Sequence, residues 1–204
     1  MKAGKPSATA EAMAAARALG TVIYRPEALL DDPYAERFLG PRFAMLHRLL
    51  RWSESGSESG SGPGSSGWLG RRLVRFYDRK LPGALGWVLT RHRYFDDAID
   101  EAMQRGVRQV VFLGAGYDSR ALRRPALAGA RIIEVDHPDT QARKLRILQR
   151  TLGELPRHVR YVPVNATRGD LRDLAEHGFD RPTPAVFVLE GFLWYMPPDV
   201  PPAG

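Results

Sequence analysis

The sequence predicts an α/β fold in which helices cover both faces of a parallel sheet. Three features predict it: four short apolar runs in the second half of the chain, helical patterns between them, and a glycine turn directly after the first run. Continuous apolar strands are typical of a sheet that is buried on both faces. Their alternation with helices indicates parallel pairing in a doubly wound arrangement.

The first half of the chain is predicted to be helical. Residues 8–19 are rich in alanine, the best helix former, and Gly20 stands where this helix should end. Residues 41–52 form a second helical stretch, and residues 91–105 repeat apolar side chains at helical spacing. Residues 53–67 are rich in serine and glycine and cannot bury enough apolar area to offset their ordering entropy, so we expect a disordered loop there.

Strands and helices alternate in the second half. The four predicted strands are 108–114 (RQVVFLG), 130–136 (ARIIEVD), 159–165 (VRYVPVN) and 184–191 (PAVFVLEG). A helix is predicted at 138–153, where three leucines share one face, namely Leu145, Leu148 and Leu152. A shorter helix is predicted at 169–178.

These patterns divide the chain into a helical N-terminal cap, residues 1–105, and a ligand-binding core that contains the sheet, residues 106–204. The chain ends soon after the fourth strand, in a proline-rich tail that cannot continue a helix. A complete sheet of this kind usually has more strands. We therefore expect C-terminal strands to be missing.

Composition excludes several classes of site and partner. The sequence has no cysteine, which excludes disulfides, thiolate metal sites and cysteine nucleophiles. It has no signal-peptide core and no apolar run that could span a bilayer, so we expect a cytoplasmic protein without a membrane partner. The net charge is +7, but the basic residues at 71–80 are spaced as on an amphipathic surface helix. We expect no nucleic-acid partner, and the sequence indicates no particular oligomeric state.

The strongest local motif is VVFLGAGYDSR at 110–120. A strand runs into Gly114, Ala115 and Gly116, and glycines permit backbone angles and ligand approaches that are closed to other residues. In an open parallel sheet, ligands bind beyond the carboxyl ends of the strands. Ser119 stands where a dinucleotide fingerprint has its third glycine, which weakens the case for pyrophosphate binding. The pattern favours a ligand site, and the alternative is a tight turn between strand and helix.

Asp136 ends the second predicted strand, twenty positions after Gly116. An acidic residue at this place can accept hydrogen bonds from both ribose hydroxyls of an adenosine, and its charge disfavours a 2′-phosphate. The alternative is a helix N-cap, because His137, Pro138 and a predicted helix follow.

Five segments, in this order and spacing, resemble the leucine carboxyl methyltransferase family, most closely its bacterial small-molecule O-methyltransferases. They are DDPYAERFLG, RHRYFDDAI, LGAGYDSR, EVDHP with the following TQARK, and LEGFLWY. The resemblance runs from about residue 8 to residue 195, apart from the serine- and glycine-rich insert. It implies a Rossmann-like class I methyltransferase fold, S-adenosyl-L-methionine as methyl donor, and methyl transfer to a carboxyl or hydroxyl oxygen of a small molecule.

The resemblance also implies a donor site. Its residues here are Arg91, Gly114, Ala115, Gly116, Asp136, Asn165, Ala166 and Glu190. Arg91, or alternatively Arg93, would pair with the carboxylate of the donor's methionine part; either arginine could instead form a surface ion pair with Asp96 or Asp97. The glycine turn would pass under the methionine part, and Asp136 would hold the ribose. Glu190 would stand near the sulfonium, or else be a buried acid that caps the next segment.

One position departs from the family pattern. The third strand usually ends in an aspartate that contacts the adenine region, whereas this sequence has Asn165 followed by Ala166. An asparagine side chain donates and accepts hydrogen bonds but supplies no charge. Asp170, just downstream, is the alternative counterpart.

The sequence identifies no catalytic residue and no metal-ligand cluster. His92, His137 and Tyr195 are candidate general bases by residue type alone. Two other functions stay open. One is a truncated, inactive remnant that at most binds the donor. The other is an NAD-dependent oxidoreductase, which Ser119 and the contexts of Arg91 and Glu190 disfavour.

Overall fold

The computed structural model describes residues 7–24, 28–55, 72, 75–76, 79–164 and 172–195. The chain divides into two compact units. The described residues of Ala8–Asp96 form the first unit, and those of Asp97–Gly204, together with Ser7, form the second. None of the described helices is both long enough and apolar enough to cross a bilayer.

Helices build the first unit. Helix α1 spans Ala8–Ile23, helix α2 spans Pro41–Ser55, and helix α3, Ala84–Gln104, begins here and runs into the second unit. A short 3₁₀ helix, Ala35–Phe38, precedes α2. The apolar faces of α1 and α2 meet in a small core. Its buried members are Leu19, Val22 and Leu50, with Ile23, Phe43 and Leu46 packed against them.

The DDPYAERFLG segment folds around a buried ion pair. Arg17 Nε on α1 donates to Asp32 Oδ2 at 2.8 Å, and both side chains are almost fully buried. The other oxygen of Asp32 accepts the backbone N–H groups of Tyr34 and Ala35 at 3.1 Å and 3.0 Å. Because every polar atom of this carboxylate is bonded, the pair tolerates burial and fixes the segment before α2.

Helix α1 is longer than predicted, and the prediction that Gly20 ends it is wrong. The helix continues through Gly20 to Ile23. A Cβ atom at position 20 would lie 2.6 Å from Leu89 Cδ1 on α3, so a larger residue would require the buried Leu89 side chain to move. Packing here outweighs the cost of about 1 kcal/mol that glycine carries within a helix.

The other predicted helix bounds shift as well. Helix α3 begins at Ala84, seven residues before the predicted start at 91. Helix α2 extends to Ser55, so the predicted loop at 53–67 does not begin at 53. Residues 56–67 of that loop lie outside the described part of the chain.

The predicted parallel sheet is confirmed in the second unit. Its strands are β1 Gln109–Leu113, β2 Arg131–Asp136, β3 Val159–Pro163 and β4 Ala185–Val188. Their spatial order is β3-β2-β1-β4, and every neighbouring pair is parallel. All five residues of β1 are buried, as expected of a strand with a neighbour on each side and cover on both faces.

Different elements cover the two faces of the sheet. On one face, alternate residues of β1, β2 and β3 form a core with Leu174, which lies in the 3₁₀ helix Arg172–Ala175. On the other face, helix α5, Pro138–Leu152, is tied to Glu134 of β2. The buried side chains of α5 are Thr140, Gln141, Lys144 and Leu148. Of the three leucines predicted to share one face, Leu148 is buried and Leu152 is exposed.

The strand order places the candidate site. Since β1 lies between β2 and β4, the chain order reverses at β1, and the carboxyl ends of these three strands meet at one edge. A single helical turn, α4, Arg120–Arg123, follows the glycine turn after β1. In sheets of this class, that edge is where ligands bind.

Candidate functional site

The turn after β1 requires glycine at both ends. Gly114 and Gly116 have φ angles of 68° and 51°, in the left-handed region that favours glycine. The N–H groups of Gly114 and Ala115 both donate to the Val135 carbonyl, at 2.9 Å and 3.1 Å. The turn is therefore bonded to the end of β2, immediately before Asp136.

Gly114 has a second constraint that sequence reasoning missed. A Cβ atom at this position would overlap the Phe192 ring, which comes from the segment after β4. Phe192 also packs against the apolar core on that face of the sheet. Glycine at 114 therefore allows an aromatic ring, in addition to any ligand, to approach the main chain. The signal was LEGFLWY, whose first aromatic residue directly follows the predicted fourth strand.

The Asp136 carboxylate faces the glycine turn. Its Oδ2 accepts the N–H of Gly116, and its Oδ1 accepts the N–H of His137 at 2.6 Å. The alternative of an N-cap does not describe this residue, because the N-cap of α5 is His137, whose Nδ1 accepts the N–H of Asp139 at 3.3 Å. A carboxylate offers about four lone-pair sites, so the bonds from described residues leave two for hydroxyl donors.

The environment of Asp136 raises its pKa. Burial is the largest cause, because it disfavours the charged form. The hydrogen bonds from Gly116 and His137 and the positive charge of Lys144 oppose this shift. The charge on Asp136 thus depends on its neighbours, including one residue on α5.

A buried arginine joins the loop after β1 to the end of β4. Arg120 Nη1 donates to Asp118 Oδ2 at 2.5 Å, and Nη2 donates to Glu190 Oε2 at 2.8 Å. The backbone N–H of Arg120 donates to Asp118 Oδ1 at 2.7 Å. Two carboxylates, one before α4 and one after β4, thus share the Arg120 guanidinium.

Sequence reasoning placed Glu190 at the site but missed the arginine that holds it. Arg120 is fully buried, and seventy positions separate the two residues in the sequence. The available signal was local: Asp118 and Arg120 are opposite charges two positions apart in a turn at the end of a buried strand. Such a pair is expected to be bonded when the turn is buried.

A second buried ion pair joins β2 to α5. Lys144 Nζ on α5 is 2.5 Å from Glu134 Oε2, and both side chains are almost fully buried. Gln141 Nε2 donates to the Glu134 carbonyl at 3.0 Å. Burial raises the pKa of Glu134 to about 7, against the charge of Lys144. Glu134 lies in the segment ARIIEVD and Lys144 in the segment TQARK, but no local sequence pattern predicted that the two would form an ion pair.

Arg91, the predicted partner of the donor's carboxylate, belongs to the first unit of the chain. Arg91 is on α3, with its guanidinium 4.3 Å from the centre of the Trp87 ring and Nη2 3.6 Å from Met13 Sδ. Arg93, its alternative, has Nη1 3.4 Å from the Leu29 carbonyl oxygen. Two residues, Asn165 and Ala166, lie outside the described part of the chain, as does Asp170, the alternative to Asn165. The structure thus brings together the glycine turn, Asp136 and, through Arg120, Glu190.

Comparison with known proteins supports the resemblance seen in the sequence. The sequence model of the leucine carboxyl methyltransferase family matches residues 10–201. Proteins of Mycobacterium sp. (strain KMS) and Mycobacterium marinum, each named "Putative S-adenosyl-L-methionine-dependent methyltransferase", are 37% and 35% identical over 97% of this chain. The chain spans 60% and 59% of the lengths of these two relatives. The match of the family model over nearly the whole sequence shows that the chain belongs to the leucine carboxyl methyltransferase family.

Proposed function

We propose that this chain binds S-adenosyl-L-methionine at the edge formed by β1, β2 and β4, and that it serves the transfer of a methyl group to a carboxyl or hydroxyl oxygen of a small molecule. The observation that carries the proposal is the Asp136 carboxylate, which faces the turn formed by Gly114 to Gly116 and keeps two lone-pair sites. The names of the relatives agree with this donor.

The described residues fit an adenosyl group. Asp136 would accept the two ribose hydroxyls, while its bonds to Gly116 and His137 hold the carboxylate in place. Such preorganisation lowers the cost of binding because the acceptor is already oriented. The adenine region is assigned to Asn165 and Ala166, and the carboxylate of the methionine part to Arg91, on the family resemblance alone.

The Glu190 carboxylate, at the end of β4, is compatible with a positively charged ligand group, and on the family resemblance it would stand near the sulfonium of the donor. S-adenosyl-L-methionine supplies a methyl group on a sulfonium that needs no further activation. The residues of this chain would position it and exclude water, and a general base is needed only if the acceptor is a hydroxyl.

The geometry disfavours a dinucleotide. A pyrophosphate site of the dinucleotide-binding type needs free N–H groups at the start of a long helix. Here α4 has four residues, and the N–H of Arg120, its first, is bonded to the Asp118 carboxylate. This N–H is therefore already bonded within the chain.

Titration of the chain with S-adenosylhomocysteine and, separately, with NAD tests the donor assignment. We expect calorimetry to detect binding of S-adenosylhomocysteine and none of NAD. Binding of NAD alone would favour the oxidoreductase, and binding of neither would remove the proposal. Binding of S-adenosylhomocysteine without transfer to any carboxyl or hydroxyl acceptor would favour a remnant that only binds the donor.

A further inference from the structure

Helix α2 presents a second apolar face, away from the core of its unit. Its inner residues, among them Phe43, Leu46 and Leu50, pack with α1. The outer residues Met45, Leu49 and Trp52 are 63%, 49% and 76% exposed. They are four and three positions apart, so they form one stripe along the helix. We name Met45, Leu49 and Trp52 the outer stripe.

Arginines flank the outer stripe on both sides. At 100° per residue, Arg42 lies beyond Leu49 on one side, and Arg48 and Arg51 lie on the other. All three are exposed. The one acidic residue of α2 is Glu54, beside the last residue of the helix. The outer face of α2 therefore has an apolar centre with cationic margins, although Glu36 of the preceding 3₁₀ helix lies 3.3 Å from Arg51.

We propose that the outer face of α2 docks on the surface of an anionic lipid bilayer, with the helix lying in the plane of the interface. An interfacial helix buries its apolar side chains at the boundary between headgroups and acyl chains and places basic residues at the level of the phosphates. The long aliphatic stems of arginine allow this while the guanidinium stays in the headgroup region. Tryptophan, with an apolar ring and one N–H donor, is suited to the same depth.

Charge and area favour a bilayer over a second copy of the chain. Two outer stripes facing each other would also bring six arginines together, three from each copy. A stable protein interface buries about 800 Å² on each partner, more than three partly exposed side chains provide. A nucleic acid would use the arginines but not the apolar centre. The sequence led us to expect no membrane partner because it has no spanning segment, but a helix that lies on the surface needs none.

Co-sedimentation of the chain with vesicles tests the proposal. We expect binding to vesicles of phosphatidylcholine and phosphatidylglycerol, much weaker binding to phosphatidylcholine alone, and weakening by added salt. The double variant Leu49→Ser, Trp52→Ser and the double variant Arg42→Gln, Arg48→Gln should each reduce binding at least tenfold. Leu81→Ser removes an exposed apolar side chain outside α2 and should change nothing.

Circular dichroism establishes that each variant is folded, as expected for exposed positions. Equal binding of the serine variant and the unchanged chain would overturn the proposal, as would an absence of binding to anionic vesicles. A general polyanion site would give a different pattern. Only the arginine variant would then lose binding to vesicles, and the serine variant would still be retained on immobilised heparin. Self-association that the serine variant abolishes, without vesicle binding, would assign the stripe to a second copy.

Discussion

The Asp136 carboxylate serves both the fold and the proposed site. Its two bonds, to the N–H groups of Gly116 and His137, join the end of β2 to the glycine turn and to the start of α5. The same geometry orients its remaining lone pairs. Burial raises the pKa of the Asp136 carboxylate, and the positive charge of Lys144 lowers it. The charge that Asp136 offers to a ligand therefore depends on Lys144, which need not touch that ligand.

This dependence predicts a pH effect on donor affinity. The charged form of Asp136 is the better acceptor, so affinity for S-adenosylhomocysteine should fall as the pH drops through its raised pKa. Lys144→Met removes the charge that lowers this pKa, so the loss of affinity should begin at a higher pH. Calorimetric titrations of both proteins between pH 5 and 8 measure this. Identical pH profiles would show that Lys144 does not act through Asp136.

At the scale of elements, close packing between side chains determines features that helical and turn patterns in the sequence do not predict. Helices α1 and α3 meet where Gly20 contacts Leu89. Helix α1 continues through Gly20 to Ile23, although glycine is often found at the end of a helix. The turn after β1 is similarly constrained by Phe192. Both contacts join residues far apart in the sequence, so no local pattern could predict them.

The contact between Gly114 and Phe192 predicts that substitutions at these two positions have non-additive effects on the free energy of unfolding. Gly114→Ala should destabilise the fold because alanine costs about 1–2 kcal/mol at a left-handed φ and because its Cβ overlaps the Phe192 ring. In the double variant with Phe192→Ala the overlap is absent, so the double variant should be more stable than the sum of the single effects predicts.

Urea unfolding of the four proteins measures this coupling. We expect a coupling energy of about 0.5–3 kcal/mol, the range found for residues in contact. Strict additivity would mean that the ring does not limit the size of residue 114 and that only its backbone angle requires glycine.

At the scale of the whole molecule, the sequence was sufficient to predict the parallel sheet and the family. Each strand contains a run of apolar residues, longest in β1 and β4, and such a run can be recognised without knowing the loops or the neighbouring strands. The side-chain network was harder to predict. Arg120 with Glu190, and Glu134 with Lys144, are joined only because the sheet places β1 beside β4 and α5 beside β2.

The structure bears on donor binding more than on activity. Five of the predicted donor-site residues, Gly114 to Gly116, Asp136 and Glu190, lie at the carboxyl ends of β1, β2 and β4, and the relatives are longer than this chain. Donor binding is therefore the property of this chain that the structure supports most directly. Methyl transfer and the identity of the acceptor rest on the family.

The affinity of Asp136→Ala for S-adenosylhomocysteine is the measurement that tests the central claim most directly. Losing hydrogen bonds to a charged acceptor costs about 1.5–3 kcal/mol each, so we expect affinity to fall more than tenfold. Glu154→Ala removes an exposed acid from the loop after α5 and should leave affinity unchanged. If Asp136→Ala, shown to be folded, bound S-adenosylhomocysteine as tightly as the unchanged chain, the assignment of this edge of the sheet as the adenosyl site would be contradicted.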